Sequence, residues 1–414
     1  MTQQVKRKKV VKKVNHPTNG TRKVKRKVRR IKKPVLYGFI AIVVLIVGLL
    51  TIPKTLENNK LKELGYNKTT ISEIRKQKLV NLIIKNDYYS ENLAGAINDK
   101  TLNKDYIKLY VVSDSCDQRE FVLYDRLIDK GYTEEQALSL FDSLTFFEIT
   151  PLLVFDFQTD VKPYLDDAIA NSGTNSATNF ALSNSYRENY ATTLPVINPG
   201  SYDMLVNKTY YLDSAFVPGQ LQDLSIRYAS EGLQLDAPAA EALKLFCEGA
   251  RDLGLRMYAS SAYRSYEHQQ ALYDRYVKAN GQEDADTFSA RPGFSEHQTG
   301  LTVDMSALTD DPSISKFEET DEFTWASENC QEYGWILRFP SGKEQIIGYQ
   351  YEPWHYRFVG VDLAKKIVNS KLTYDEYYML YMAPWNNEEN NKASKNPTTA
   401  KPEESPAPSE TPAS

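Results

Sequence analysis

Residues 35–53 read VLYGFIAIVVLIVGLLTIP, nineteen consecutive positions without a charge. At 1.5 Å rise per residue, a helix of that length nearly crosses a hydrocarbon core about 30 Å thick. A buried core helix rarely runs so far without a polar position, so the stretch reads as a single transmembrane helix. Its flanks set a direction. Residues 1–34 hold 15 Lys and Arg and no acid, whereas Lys54, Lys60 and Lys62, interrupted by Glu57, follow the stretch. By the positive-inside rule the N-terminus stays cytoplasmic and the remaining 361 residues lie outside. A cleaved signal peptide fits less well, because the charged and apolar regions are both too long and no A-x-A-like site follows Ile52. The expected form is an uncleaved signal anchor in the cell membrane.

The chain of 414 residues carries a formal net charge of −4, which hides two opposed parts. Beyond residue 53, the remaining 35 of the 50 basic residues meet all 54 acidic ones. An acidic body with a basic tip does not suggest a dedicated nucleic-acid binder, and the tip interleaves no aromatic residues with its charges. The body is long enough for two or three domains. Residues 55–170 read as mostly helical and contain an internal echo. Leu61-Lys-Glu-Leu-Gly65-Tyr66, followed by Ile71 and Ile74, recurs 66 residues later as Leu127-Ile-Asp-Lys-Gly131-Tyr132, followed by Ala137 and Leu140. Each glycine is placed to end a helix, and Thr133 with Gln136 forms a capping-box pattern for the next. Two copies are too few for a solenoid and suit a pair of small spacer or binding modules.

Residues 171–200 are rich in Ser, Asn and Thr, as an exposed linker would be. Residues 386–414 hold only small, polar and Pro side chains and should be disordered. Between them, 201–385 reads as an α+β domain, a small and mainly antiparallel sheet flanked by helices. Asp236 and Pro238 start a helix with Leu243, Phe246 and Ala250 on one face, 256–260 reads as a strand and 266–280 as a helix. Residues 301–305 and 345–351 alternate like strands.

Of four histidines, His268, His297 and His355 fall within this last domain. A catalytic zinc commonly takes three His or carboxylate ligands and leaves a position open for water. His297 and Asp304 lie seven apart across a turn containing Gly300, and His355 would join them from a neighbouring strand. Glu352, three positions before His355 across Pro353, would stand near the water without being a ligand. His268 sits between Glu267 and Gln269 on a helix and reads as an ordinary surface residue. Spacing alone leaves a structural role for the group as open as a catalytic one.

A resemblance goes further. Ser295 to Asp304, SEHQTGLTVD, is similar to the SxHxxGxAxD signature of the zinc D,D- and L,D-carboxypeptidases of the VanY/LdcB type, peptidase family M15, with Thr302 in place of Ala. Glu352-Pro353-Trp354-His355 resembles the family's ExxH segment, 334–360 its closing block, and Ser261-Ala262-Tyr263-Arg264-Ser265 with Gln269 its SxYRSxxxQ element. The similarity spans about 201–375, under half the chain. It implies a hydrolase that removes a terminal D-alanine from peptidoglycan stem peptides, holding one Zn²⁺ per catalytic domain on His297, Asp304 and His355. Glu352 would act as general base and then acid, and Arg264 would face the substrate's carbonyl oxygen or carboxylate. Tyr263, Gln269, Ser295 and Trp354 would line the pocket. Arg338 and Arg357 have no role beyond the match.

Three alternatives stay open on sequence grounds: L,D-carboxypeptidase action on tetrapeptide stems, endopeptidase action on peptidoglycan, and a cell-wall binding or scaffold role carried by 55–170. Cys116, Cys247 and Cys330 are an odd set, so at least one is unpaired within the chain. Sequence fixes neither a Cys247–Cys330 bridge nor the oligomeric state.

Overall fold

The computed structural model describes residues 33–171, 186, 188–308 and 313–385. It divides into two compact units, Met1–Asp87 and Tyr88–Ser414. In the first, helix α1 (Lys33–Glu63) is followed by α2 (Lys68–Lys76) and α3 (Val80–Asn86). Helix α1 runs unbroken through the apolar stretch, and Ile42, Val43, Val44, Leu45 and Ile46 are all exposed. Among the described residues no helix is long and apolar enough to cross a membrane. Most of the span expected at 35–53 lies outside the residues whose side chains are described.

The second unit opens with seven helices: α4 (Glu91–Asp99), α5 (Ile107–Val112), α6 (Gln118–Lys130), α7 (Glu134–Ser143), α8 (Phe146–Ile149), α9 (Pro151–Val154) and α10 (Lys162–Asn171). The internal echo is structural as well as textual. Gly65 and Gly131 both adopt left-handed backbone, at φ +116° and +114°. Each lets the following tyrosine N–H reach back 3.0 Å to the carbonyl of Leu61 or Leu127, the bond that closes a Schellman motif. Leu61, Tyr66, Leu127 and Tyr132 are correspondingly buried. The capping box at Thr133 and Gln136 forms as expected.

The remainder is the α+β domain. Its elements are β1 (Leu194–Pro195), β2 (Tyr210–Tyr211), β3 (Leu221–Asp223), β4 (Gln234–Asp236), α11 (Ala237–Arg251), β5 (Met257–Ser261), α12 (Tyr266–Asn280), α13 (Gln282–Phe288), β6 (Thr302–Ala307), α14 (Asp321–Asn329), β7 (Trp335–Phe339), α15 (Glu344–Ile347), β8 (Glu352–Phe358), α16 (Val361–Ser370) and α17 (Tyr374–Tyr381). The central sheet is antiparallel in the order β5-β6-β8-β7, while β1 and β2 form a short parallel pair and β3 and β4 an antiparallel one. Every residue of β6 is buried, as a central strand covered on both faces requires. The helix expected through 239–253 forms as Ala237–Arg251, and the expected helix at 266–280 and the strands near 256–260 and 301–305 also form. The strand expected at 345–351 does not. Glu344–Ile347 is a helical turn, stopped by Gly348 at φ +83°, and the strand begins only at Glu352. The adjacent Ile346 and Ile347 are both buried, a helical arrangement that a period-two reading of QIIGYQY misses.

Helix α17 joins the two halves of this unit. It packs against α6 and α9. Thr150 Oγ1 donates to Glu376 Oε1 at 2.8 Å in a buried position, and Arg126 Nε donates to the carbonyl of Leu380 at 3.0 Å. Within 171–200, the described part touches the α+β domain as well: Tyr190 accepts from the Arg291 amide and stacks edge-on against Phe294. Cys116, Cys247 and Cys330 are all buried and unpaired. The tail at 386–414 lies outside the described residues.

Candidate active site

The site is assembled from the two inner strands and the turn before β6. His297 lies on a short 3₁₀ turn (Glu296–Thr299) that ends at Gly300 with φ +68°. A Cβ there would come within 2.8 Å of Pro218 and 3.2 Å of the Asp236 amide, so only glycine fits a turn this tight against its neighbours. The turn delivers His297 beside the start of β6, where Asp304 stands directly opposite His355 of β8. Residues three apart on a regular strand point to opposite faces. Glu352 and His355 nevertheless share one site, because the register breaks between Leu337 and Phe339: two residues of β7 span four of β8. Their contact is 3.2 Å, from Glu352 Oε2 to His355 Nδ1.

Hydrogen bonding selects which ring nitrogens are available. His297 Nδ1 lies 2.7 Å from the carbonyl of Ala262, which only accepts, so Nδ1 carries the proton and Nε2 presents its lone pair. That Nε2 is 3.3 Å from Asp304 Oδ2. His355 Nε2 faces the Glu296 carboxylate at 3.4 Å, leaving Nδ1 toward Asp304 Oδ1 at 3.3 Å. The two rings stand perpendicular, 5.2 Å apart. One donor atom each from His297, Asp304 and His355 fall within 4.8 Å of one another, and all three side chains are buried.

Two features mark this as a cation site. Asp304 Oδ1 is buried and makes no well-formed hydrogen bond, with His355 Nδ1 standing 3.3 Å away, an expensive state for a carboxylate oxygen unless a cation completes it. The donor set, two imidazoles and one carboxylate, is that of a catalytic zinc. Charge distribution agrees. Burial pushes the Asp304 carboxyl up, but His297 and His355 outweigh it and hold the group well below the usual carboxylate range. Burial lowers His297, assisted by the Arg264 charge, so its ring is neutral and ready to donate a lone pair. His355 is raised despite burial, because Asp304, Glu296 and Glu352 all surround it. A metal would exchange for that proton.

Arg264 follows β5, and its amide donates to the His297 carbonyl at 3.2 Å. Its guanidinium donates to Gln269 Oε1 at 2.8 Å and to Ser261 Oγ at 3.1 Å, two bonds that fix the plane of the fork. Burial lowers this guanidinium, opposed chiefly by Asp304. A cavity of about 310 Å³ opens between these groups, with Arg264, Glu352 and Trp354 among its walls. Ser295 and Gln269 also line it. Gln269 is fully buried, and its amide donates to the Ala290 carbonyl, so it orients Arg264 from behind. Tyr263 is half-buried and is not among the cavity walls, unlike the expectation from the motif. His268 is exposed, as its surroundings in sequence suggested.

Sequence reasoning missed Glu296. It is buried between the metal-ligand candidates and the two arginines left without a role: Oε1 accepts from Arg338 Nε at 2.9 Å and from Arg357 Nη1 at 3.1 Å. Burial pushes its carboxyl up, but Arg338 and Arg357 outweigh that and hold it ionised. The only sequence signal was an acid inside a motif, with two otherwise idle arginines downstream.

Sequence comparison with known proteins points to the same chemistry. A family model for VanY, D-alanyl-D-alanine carboxypeptidase, matches residues 232–361. The chain is 38% identical over 186 residues to the putative carboxypeptidase YodJ of Bacillus subtilis, covering 44% of this chain and 68% of that protein. It is 35% identical over 170 residues to a D-alanyl-D-alanine carboxypeptidase of Enterococcus faecalis, covering 39% and 61%. The solved LdcB LD-carboxypeptidase is 36% identical, with 45% of this chain and 89% of that one covered at a TM-score of 0.42. The chain belongs to the VanY/M15 family of zinc D-alanyl-D-alanine carboxypeptidases.

Proposed function

We propose that the chain is a membrane-anchored metallocarboxypeptidase that removes the terminal D-alanine of peptidoglycan stem peptides. The observation that carries this reading is the buried cluster of His297, Asp304 and His355 donor atoms beside Glu352, a carboxylate outside that set, at the wall of the cavity that Arg264 also lines. His297 Nε2, an Asp304 oxygen and His355 Nδ1 would hold the ion. When bound, Zn²⁺ supplies a Lewis acid that polarises the scissile carbonyl and makes water acidic enough to react near neutral pH.

The protein's own groups do the rest. Glu352 takes the proton of the attacking water as its oxygen bonds to the carbonyl carbon. It then passes that proton to the amide nitrogen as the carbon–nitrogen bond breaks, so free D-alanine leaves as the amine and the shortened peptide as the acid. Arg264, held flat by Gln269 and Ser261, offers a fork matched to a carboxylate or to a developing oxyanion. Trp354 and Ser295 would border the peptide. The 310 Å³ cavity suits a short peptide end more than a bulky side chain.

Location outside the membrane follows from the sequence: a basic tail at 1–34, an apolar anchor at 35–53 and an acidic body. The contiguous exposure of residues 42–46 on α1 supports an anchor that meets lipid. The remaining organisation carries forward in the same way, with repeats in 55–170, a tail at 386–414 and the catalytic domain expected at 201–385, which the end of the expected 171–200 linker joins by pairing Leu194–Pro195 with Tyr210–Tyr211.

The test uses the detergent-solubilised chain with stem pentapeptide and tetrapeptide, read by mass spectrometry with zinc and after chelation. Zinc-dependent loss of one D-alanine from the pentapeptide is expected. Loss from the tetrapeptide alone makes it an L,D-carboxypeptidase. No change in either peptide removes the carboxypeptidase reading and favours a binding role.

A further inference from the structure

Behind His355 lies a closed group of charges that the chemistry above does not use. Glu296, Arg338, Arg357 and Asp375 have side chains between 0 and 2% exposed. Arg338 donates from Nε to Glu296 and from Nη1 to Asp375 Oδ2 at 2.6 Å. Asp375 Oδ1 accepts from Asn207 at 2.7 Å, and Arg357 Nη2 donates to the carbonyls of Tyr202 and Met204. Two acids and two guanidiniums balance, so the group is neutral as a whole. Burying four charges is costly even when they are paired, and well-packed apolar residues often serve stability as well or better. A group like this is therefore expected to hold something in place.

What it meets at its open end is one ring nitrogen. Glu296 Oε2 is free of both arginines and faces His355 Nε2, while His355 Nδ1 is turned to Asp304. A carboxylate behind a metal-binding imidazole fixes its tautomer and ring angle. Glu296 is itself fixed by Arg338 and Arg357, and Arg338 by Asp375 on α17. Because Asp375 belongs to the helix that α6 and α9 pack against, the line of contacts runs from the helical region to the metal ligand.

We propose that Glu296 and Asp375 are positioning residues for the metal centre: Asp375, through Arg338 and Glu296, holds His355 with Nδ1 aimed at the ion. The proposal rests on His355 being a ligand.

The test is zinc affinity of the full chain, measured by competition with a chromophoric chelator, for wild type, Glu296→Gln and Asp375→Asn. The visible spectrum of the Co²⁺-loaded proteins and the apoprotein Tm are recorded alongside. Both variants should bind zinc about ten- to a hundredfold more weakly, the magnitude usual for groups behind a metal ligand. Their Co²⁺ bands should shift, and KM for the peptide should stay within twofold. Folded variants whose zinc affinity and Co²⁺ spectrum match wild type overturn the proposal, even with a lowered Tm, since that is the signature of a purely structural role. If the core variants fail to fold, Arg126→Ala and Thr150→Val loosen α17 from its far side and leave the buried charges intact. A threefold or greater loss of zinc affinity in that pair supports the proposal, and unchanged affinity overturns it. A wild-type chain that binds no zinc overturns the metal reading and this inference together, whereas tight wild-type binding with unaffected variants overturns this inference alone.

Discussion

Asp304 and His355 face each other across β6 and β8 as direct antiparallel partners, with Asp304 Oδ1 3.3 Å from His355 Nδ1. Cross-strand pairing fixes this distance without help from any loop, which makes these two the rigid part of the metal centre. His297 is brought to them by the Gly300 turn and Glu352 by the register break in β8. The site is a sheet centre with two local irregularities aimed at it.

Asp304→Asn keeps the size of the side chain and removes the charge that two imidazoles alone do not replace. The variant should lose stoichiometric zinc and at least a hundredfold of its peptide turnover, the low end of what a metal-dependent hydrolysis draws from its ion. Inductively coupled plasma mass spectrometry beside a turnover assay checks both. Retained zinc at one per chain would remove Asp304 from the ligand set.

Arg264→Ala should lower kcat/KM by about 10²–10³, the usual cost of removing a donor to a developing oxyanion or a bound carboxylate. Gln269→Leu leaves the guanidinium in place but frees Nη1 from its partner. A smaller loss, about tenfold, is expected there, with zinc content unchanged in both. Steady-state kinetics on one peptide series separates the two. Equal losses would place Gln269 in direct contact with the substrate.

A fragment of residues 201–385 should be less stable than one beginning at Tyr88. It lacks Thr150, Arg126 and the α6 and α9 surfaces on which α17 rests, so Glu376 and Leu380 lose partners and the covered face of α17 opens to water. Thermal denaturation of the two fragments gives the comparison, with a Tm lower by several degrees expected for the shorter one. Equal midpoints would mean that the helical region only decorates the domain.

Much of the site was legible because its chemistry is carried by rare residue types at fixed spacing. His297, Asp304, Glu352 and His355 could be named from sequence, and the structure brings all four together. Glu296 was invisible, since nothing in an acid's identity tells that two arginines 42 and 61 positions away bury it. Tyr263 was named from its place in the SxYRSxxxQ match, but it is not among the cavity walls. Local pattern also found the helices at 237–251 and 266–280, whose apolar faces repeat over several turns. It failed at 335–351, where β7 is a short run and α15 a single turn, too brief for either period to declare itself. The docking of α17 on α6 and α9 depends on pairs more than 200 residues apart, such as Thr150 and Glu376, and no local signal reports such a pair.

The central claim is that three side chains hold an ion while Glu352, outside that set, moves the proton. Zinc stoichiometry and peptide turnover measured together on wild type and Glu352→Gln test it most directly. The account predicts one zinc per chain in both proteins and a fall in kcat of about 10²–10⁴ in the variant, the range a positioned general base supplies. Turnover near wild type in Glu352→Gln, or a wild-type chain that hydrolyses peptide without zinc, would contradict it.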